Sequence, residues 1–293
     1  MDRASGPFCH GQGAAGVTSS PPSAGLHGHL HMEAALRPDG QTALAGQSFR
    51  APFHIGKPYW DGRVLQVRVV NPTAGILAGD RLALDVRVGP GAALLVMTPA
   101  ATRAFMMENG VAECRQDFSV EPDGWLEYAS EPLFPHRESD YAQTTRIRVA
   151  DGAEAYFVEA LAPGRAGRGE LWAWRDLKLT LSVTHAEELI LRERLAGSGA
   201  ALARRAALHG GAEAWFATIV IISQKLAPDD CVWEKVRALH RDGRWVGATR
   251  LRRGGWIVRV VAPGSQSLRD ALSDLRSIFS EKLPHLQSDL RRV

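Results

Sequence analysis

From residue 41 to residue 222, almost every apolar segment alternates with period two, and the punctuation between segments is Gly, Pro and Asp. Alternation places successive side chains on opposite faces of a pleated strand, so one face meets a core and the other meets water. The runs 64–70 and 82–88 are the clearest. Further runs follow at 92–98, 115–120, 125–128, 144–149, 153–159, 171–183, 188–195 and 215–223. Helical periodicity is missing over this span, so the fold class is mostly β. Trp172, Trp174 and Trp215 fall within these runs and are expected in the core.

Three turns resemble one another: Val88-Gly89-Pro90-Gly91, Val120-Glu121-Pro122-Asp123-Gly124 and Val149-Ala150-Asp151-Gly152, with glycines 33 and 28 residues apart. A strand-turn-strand unit recurring at this spacing predicts stacked β layers, a helix-like β arrangement. A two-sheet sandwich of regular hairpins satisfies the same pattern. After residue 228 the chain changes character. Residues 231–240 read as a short helix behind the acidic turn Pro228-Asp229-Asp230. Residues 244–250 and 255–261 read as a hairpin, and a final helix is expected with Ser267 as its cap and Asp270 completing a partial capping box.

The chain has 293 residues, of which 45% are hydrophobic and 23% charged, as in ordinary globular proteins. A net charge of +3, from 35 basic and 32 acidic residues, gives no argument for nucleic acid. The basic residues are scattered except at Arg250, Arg252 and Arg253. Cys9, Cys114 and Cys231 are far apart, which supports neither a zinc cluster nor a disulfide framework. No signal segment or membrane-spanning run is visible, so a cytoplasmic location without membrane attachment is expected. Residues 1–25, rich in Gly, Ser, Ala and Pro, read as a disordered leader, and 26–293 as one domain.

Candidate sites are few. His27, His29 and His31 share one face of an alternating segment, and imidazole is a common ligand for nickel or zinc. An exposed polar strand face explains the same pattern, since no closed ligand set accompanies it. The stretch from Asn71 to Asp80 joins two strands through Pro72, Gly75 and Gly79. Gly75 and Gly79 permit positive φ or close backbone approach, and Asp80 stands at the foot of the next strand. A phosphate cradle needs a helix after such glycines, whereas 82–88 alternates as a strand. No nucleotide-binding loop or hydrolase motif occurs elsewhere. A carboxylate pair such as Asp80 with Glu131 leaves a β-rich carbohydrate-active hydrolase or binding module as the alternative.

Four stretches stand in a particular order: 71–82, then Thr98-Pro99-Ala100-Ala101-Thr102-Arg103, then Glu131-Pro132-Leu133-Phe134-Pro135, then 161–170 with Gly164, Arg165, Gly169 and Glu170. In this the chain resembles the urease accessory proteins of the UreD (UreH) type, strongly over residues 41–195 and more loosely at the C-terminal helix. One departure is Ala74 before Gly75, where many members carry two adjacent glycines. The resemblance implies a mostly β, helix-like stacked fold with a few α-helices. It implies a non-catalytic scaffold that binds apo-urease and the UreF- and UreG-type accessory proteins and assists nickel insertion. The GTPase activity then belongs to the UreG-type partner, no cofactor is tightly bound, and nickel passes transiently through an internal passage. Asp80, Glu131 and Glu170 are the carboxylates expected along that passage or at its mouth, each with an alternative role as a cap on turn amides.

Overall fold

The computed structural model describes residues 25–207 and 211–290, so the expected leader lies almost wholly outside the described residues. The chain enters as β1 (His27–Leu36) and returns antiparallel as β2 (Thr42–Arg50). Two short strands, β3 (His54–Ile55) and β4 (Tyr59–Asp61), flank β5 (Val64–Val70). The chain then coils through β6 (Arg81–Val88), β7 (Ala93–Met97), β8 (Thr102–Ala104), β9 (Ala112–Val120) and β10 (Trp125–Ala129). It continues through β11 (Leu133–Pro135), β12 (Asp140–Val149) and β13 (Glu154–Leu161).

The strands on either side of each recurring turn belong to different sheets. β5, β7, β10 and β13 run parallel in one sheet, and β1, β6, β9 and β12 run parallel in the other. The turns at 89–91, 121–124 and 150–152 are therefore corners of a two-sheet coil, and the hairpin alternative is excluded. The 33- and 28-residue spacing is the length of one rung.

Beyond β13 the pattern loosens. A ribbon of β14 (Gly164–Arg165) and β15 (Glu170–Leu171) precedes β16 (Asp176–His185), which joins β12 in parallel and then turns back as β17 (Glu188–Gly197). The run expected at 171–183 is thus broken. Trp172 takes a positive φ of 54°, and its N–H bonds to the Pro163 carbonyl at 2.6 Å. Trp172 and Trp174 are buried, but in the break rather than on a strand. A helix absent from the period-two reading, α1 (Gly199–Ala206), follows; the Ser198 hydroxyl accepts the Ala201 N–H.

The chain then adds β18 (Trp215–Ile222), α2 (Val232–Ala238), β19 (Trp245–Arg250), β20 (Gly255–Ala262) and α3 (Ser265–Ser280). α3 starts three residues earlier than expected, behind Gly264 in place of Ser267 and without a side-chain cap. Asp270 accepts from Gln266 Nε2 at 2.8 Å instead of completing a box with Ser267.

The finished sheets have seven strands, β17-β16-β12-β9-β6-β1-β2, and eleven, whose main path is β19-β20-β18-β13-β10-β7-β5-β3. Their inner faces meet in a core built from Met32, Val86, Phe118, Ile147, Leu94 and Phe157 among others. β7, β10 and β13 are buried on both faces, because α2 and α3 cover the outer side of the larger sheet with Trp233, Leu275 and Phe279. β6 keeps the alternating pattern of a strand with one face in water. Among the described residues no helix is long and apolar enough to cross a membrane.

Candidate functional site

The four distinctive stretches sit side by side at the end of the coil opposite the short corners. Ile76 N–H bonds to the Arg103 carbonyl at 2.7 Å, and Phe105 N–H returns to the Ile76 carbonyl at 3.0 Å. β8 pairs with β11, and Leu133 of β11 pairs with Leu161. The Glu131 N–H donates to Thr98 Oγ1 at 2.9 Å, and the Thr102 N–H to the Pro132 carbonyl at 3.1 Å. One loop of each rung therefore bonds to the loop of the next; Pro135 is itself paired with Ala104, and Pro99 lies next to Thr98.

The first loop shows why its residues are what they are. Asn71 Oδ1 accepts from Thr73 N–H at 3.0 Å and Thr73 Oγ1 at 2.6 Å, closing a turn that Pro72 preorganises. A Cβ at Gly75 would stand 2.6 Å from the Arg103 carbonyl oxygen, so the interloop bonds require glycine there. Gly79 has φ 82°, and the Asp80 carboxylate behind it accepts the Leu26 N–H at 2.8 Å and the Leu77 N–H at 2.9 Å. Asp80 is buried and holds this turn against the start of β1.

Two adjoining cavities lie behind the loops, between the sheets. The smaller, about 90 Å³, opens beside Asn71, Thr73, Gly75 and the 98–103 loop. The larger, about 510 Å³, reaches from Glu131 to β17, α1 and β20. Thr102, Gln116, Tyr128 and Gln143 are walls of both. The inner face here changes from apolar to polar along the same strands. On β12, Ile147 and Val149 belong to the core while Gln143 and Thr145, further along the inner row, do not.

The polar cluster centres on Glu159 of β13, which lines the larger cavity. Its Oε1 accepts from Thr145 Oγ1 at 2.7 Å and from Gln143 Nε2 at 2.9 Å. Oε2 accepts from no protein donor among the described residues. Burial pushes the Glu159 carboxyl above the usual carboxylate range, against the pull of these two hydrogen bonds. Tyr141 Oη donates to Gln143 Oε1 at 3.0 Å, and the buried Cys114 thiol, beside Gln116, is pushed up to about 11 by burial. The arrangement offers oxygen and amide donors in a partly dry space, with one carboxylate only half satisfied.

The family comparison agrees with this architecture. The profile of the UreD urease accessory protein family matches residues 26–293. A urease accessory protein UreD from Opitutus terrae is 50% identical over 270 residues, covering 91% of this chain and 98% of the relative. The chain belongs to the UreD urease accessory protein family. Two more distant members match over similar lengths. That from Alkalilimnicola ehrlichii is 30% identical over 87% of this chain and 86% of its own length, and that from Acetivibrio thermocellus is 26% identical over 87% and 98%. The likeness thus extends well beyond residues 41–195.

The carboxylates expected from the UreD resemblance separate in space. Glu131 lines the larger cavity near its surface, where burial raises its pKa and Arg269 opposes the rise. Asp80 and Glu170 line neither cavity. Glu170 is held by Arg165, Nε to Oε2 at 2.8 Å, and this bond keeps its pKa low. That pair pins the 164–170 ribbon, in which Gly169 has φ 66°. His27, His29 and His31 point out from β1, and His31 Nδ1 stands 3.2 Å from Asp85. Among the described residues, no group of three or more His, Cys, Asp or Glu side chains is gathered to hold a metal ion. Glu159 was the residue missed. Its signal was phase: Ala153, Ala155 and Phe157 face the core, and Glu159 continues that row.

Proposed function

We propose that this UreD-family protein is a non-catalytic scaffold of urease maturation. It binds apo-urease and the UreF- and UreG-type accessory proteins, and it conducts nickel between them through the inter-sheet cavities. The observation that carries this reading is the polar cluster at Glu159, in the wall of a cavity that adjoins a second cavity opening among the family's loops. Burying a carboxylate beside amides and hydroxyls in an otherwise apolar interior is costly unless a partner, water or ion meets it. One half-satisfied carboxylate with neutral oxygen neighbours binds a divalent cation weakly, as transit requires.

In this reading Glu159 is the carboxylate of the interior and Glu131 that of the outer wall, while Asp80 and Glu170 secure the loops that frame the opening. A hydrolase built on Asp80 and Glu131 is disfavoured, since both Asp80 oxygens are engaged by backbone amides. The test is co-expression with a urease operon deleted for its own UreD-type gene. The wild-type chain restores nickel-dependent urease activity. Glu159→Leu, which fills the site with an apolar side chain, lowers it about tenfold or more while urease complexes still form. Full restoration by Glu159→Leu, in a folded protein, refutes the passage.

A further inference from the structure

The outer face of the seven-stranded sheet is uncovered among the described residues, and its charge is uneven. The register, parallel from β1 to β16 and antiparallel between β16 and β17, aligns side chains from six strands into lateral rows. One row runs His31, Asp85, Asp117, Arg146, Ser182 and Arg192. The neighbouring rows contain Arg115 and Arg194 on one side, and Glu33, Arg87 and Arg148 on the other. These three rows thus hold six arginines with Glu33, Asp85 and Asp117, and the next row on the same face adds Arg81, Glu113 and Lys178. Asp117 lies within 3.7 Å of Arg115, Arg146 and Arg148, and Asp85 meets Arg87 at 3.1 Å. Arg192 and Arg194 have no acidic partner among the described residues. The side chains of Arg87, Arg115, Arg146 and Arg148 are 44–64% exposed.

We propose that this face is the docking surface for a folded protein partner with an acidic, flat surface. The inference rests on the scaffold reading above. Seven strands at about 4.8 Å spacing span about 29 Å, and strands of this length run about 30 Å, giving roughly 850 Å². A standard protein–protein interface takes about 800 Å² from each side. A second copy of the chain would bring arginines against arginines. Residues 1–24 carry only Asp2 and Arg3 as charges, so they do not complement the face. Arg87, Arg115, Arg146 and Arg148 are tethered to Asp85 and Asp117, which restricts these four side chains before a partner arrives.

The full-length tagged chain, co-expressed with urease subunits and UreF- and UreG-type proteins, is captured across about 0.05 to 0.5 M salt. Wild-type capture of one partner falls steeply with salt. Arg146→Gln/Arg148→Gln, which touches neither cavity, lowers that capture about tenfold or more, and Arg192→Glu/Arg194→Glu, which breaks no ion pair of the fold but borders the larger cavity, does the same. Arg146→Lys/Arg148→Lys restores most of it. Arg237→Glu/Arg241→Glu, on the opposite side near α2, leaves it unchanged. Wild-type yields from both face variants, folded by circular dichroism, overturn the docking face while leaving the scaffold reading intact. Equal loss in the control variant, or loss on nuclease treatment, also overturns it. A wild-type chain that captures no partner refutes the scaffold reading and the face together.

Discussion

Arg276→Met tests how the C-terminal helix is fastened to the coil. Arg276 of α3 donates through Nε to Glu127 Oε1 at 2.6 Å and through Nη2 to Oε2 at 3.0 Å, and also reaches Ser288 Oγ at 3.1 Å. Glu127 is fully buried on β10, between the sheet and the helix. Methionine keeps most of the volume but leaves that carboxylate without its cation, a change that costs about 3–5 kcal/mol. At about 2–4 °C per kcal/mol, the Tm falls by roughly 6–20 °C.

The loss depends on pH, with a fixed sign. Burial already pushes the Glu127 carboxyl up, and Arg276 is what opposes it. Without Arg276 the folded-state pKa lies further above the unfolded value of about 4.3, so the native state binds its proton more tightly. Stability of the variant relative to wild type is therefore greatest at acid pH and falls as pH rises through the raised pKa. Thermal unfolding followed by circular dichroism at about pH 5 and pH 8 reads both effects. Replacing both partners, Glu127→Leu/Arg276→Met, recovers the protein to within about 2 kcal/mol of wild type. A single Arg276→Met variant as stable as wild type, or a penalty equal at both pH values, refutes the reasoning.

Other outcomes follow from the loops and the thiols. Asp80→Ala strands the Leu26 and Leu77 amides and lowers stability by about 2–4 kcal/mol in urea titration, yet it leaves the cavity walls in place. Gly164 has φ 111°, and a Cβ there would stand 2.2 Å from the Glu170 carbonyl oxygen. Gly164→Ala accordingly loosens the 164–170 ribbon, read as faster tryptic cleavage after Arg165 or Arg168. In a Cys9→Ser background, exposed Cys231 alkylates at pH 8 while Cys114 stays unmodified until the protein unfolds, because its thiolate fraction is only about one in a thousand.

Period two made the strands of the coil legible, and the recurring Gly turns gave the rung length. What alternation alone could not supply was the path. A corner between sheets and a hairpin within one sheet demand the same small residues; only the register distinguishes them. The break at Trp172 was hidden because Trp and Leu continue the β pattern through a position that takes positive φ. α1 escaped because its Ala- and Arg-rich sequence lies between strands and buries only Gly199, Leu202 and Ala206. Glu159 was visible as a charge on the apolar row of β13. The basic face was not: its arginines are scattered from residue 87 to 194 and become neighbours only through the lateral register.

The space between the two sheets differs from the lumen of a closed barrel. In a barrel, strand number and hydrogen-bond stagger fix the bore. Here the walls belong to separate sheets about 10 Å apart, and no ladder bond crosses the gap. The clearance where the two cavities adjoin is therefore set by the side chains of Gln116, Tyr128 and Gln143, and by how closely the sheets pack. Calibre can be retuned one residue at a time without rewriting the backbone. A protein that presses the sheets together or lets them part would throttle traffic through the gap while leaving every strand pairing intact.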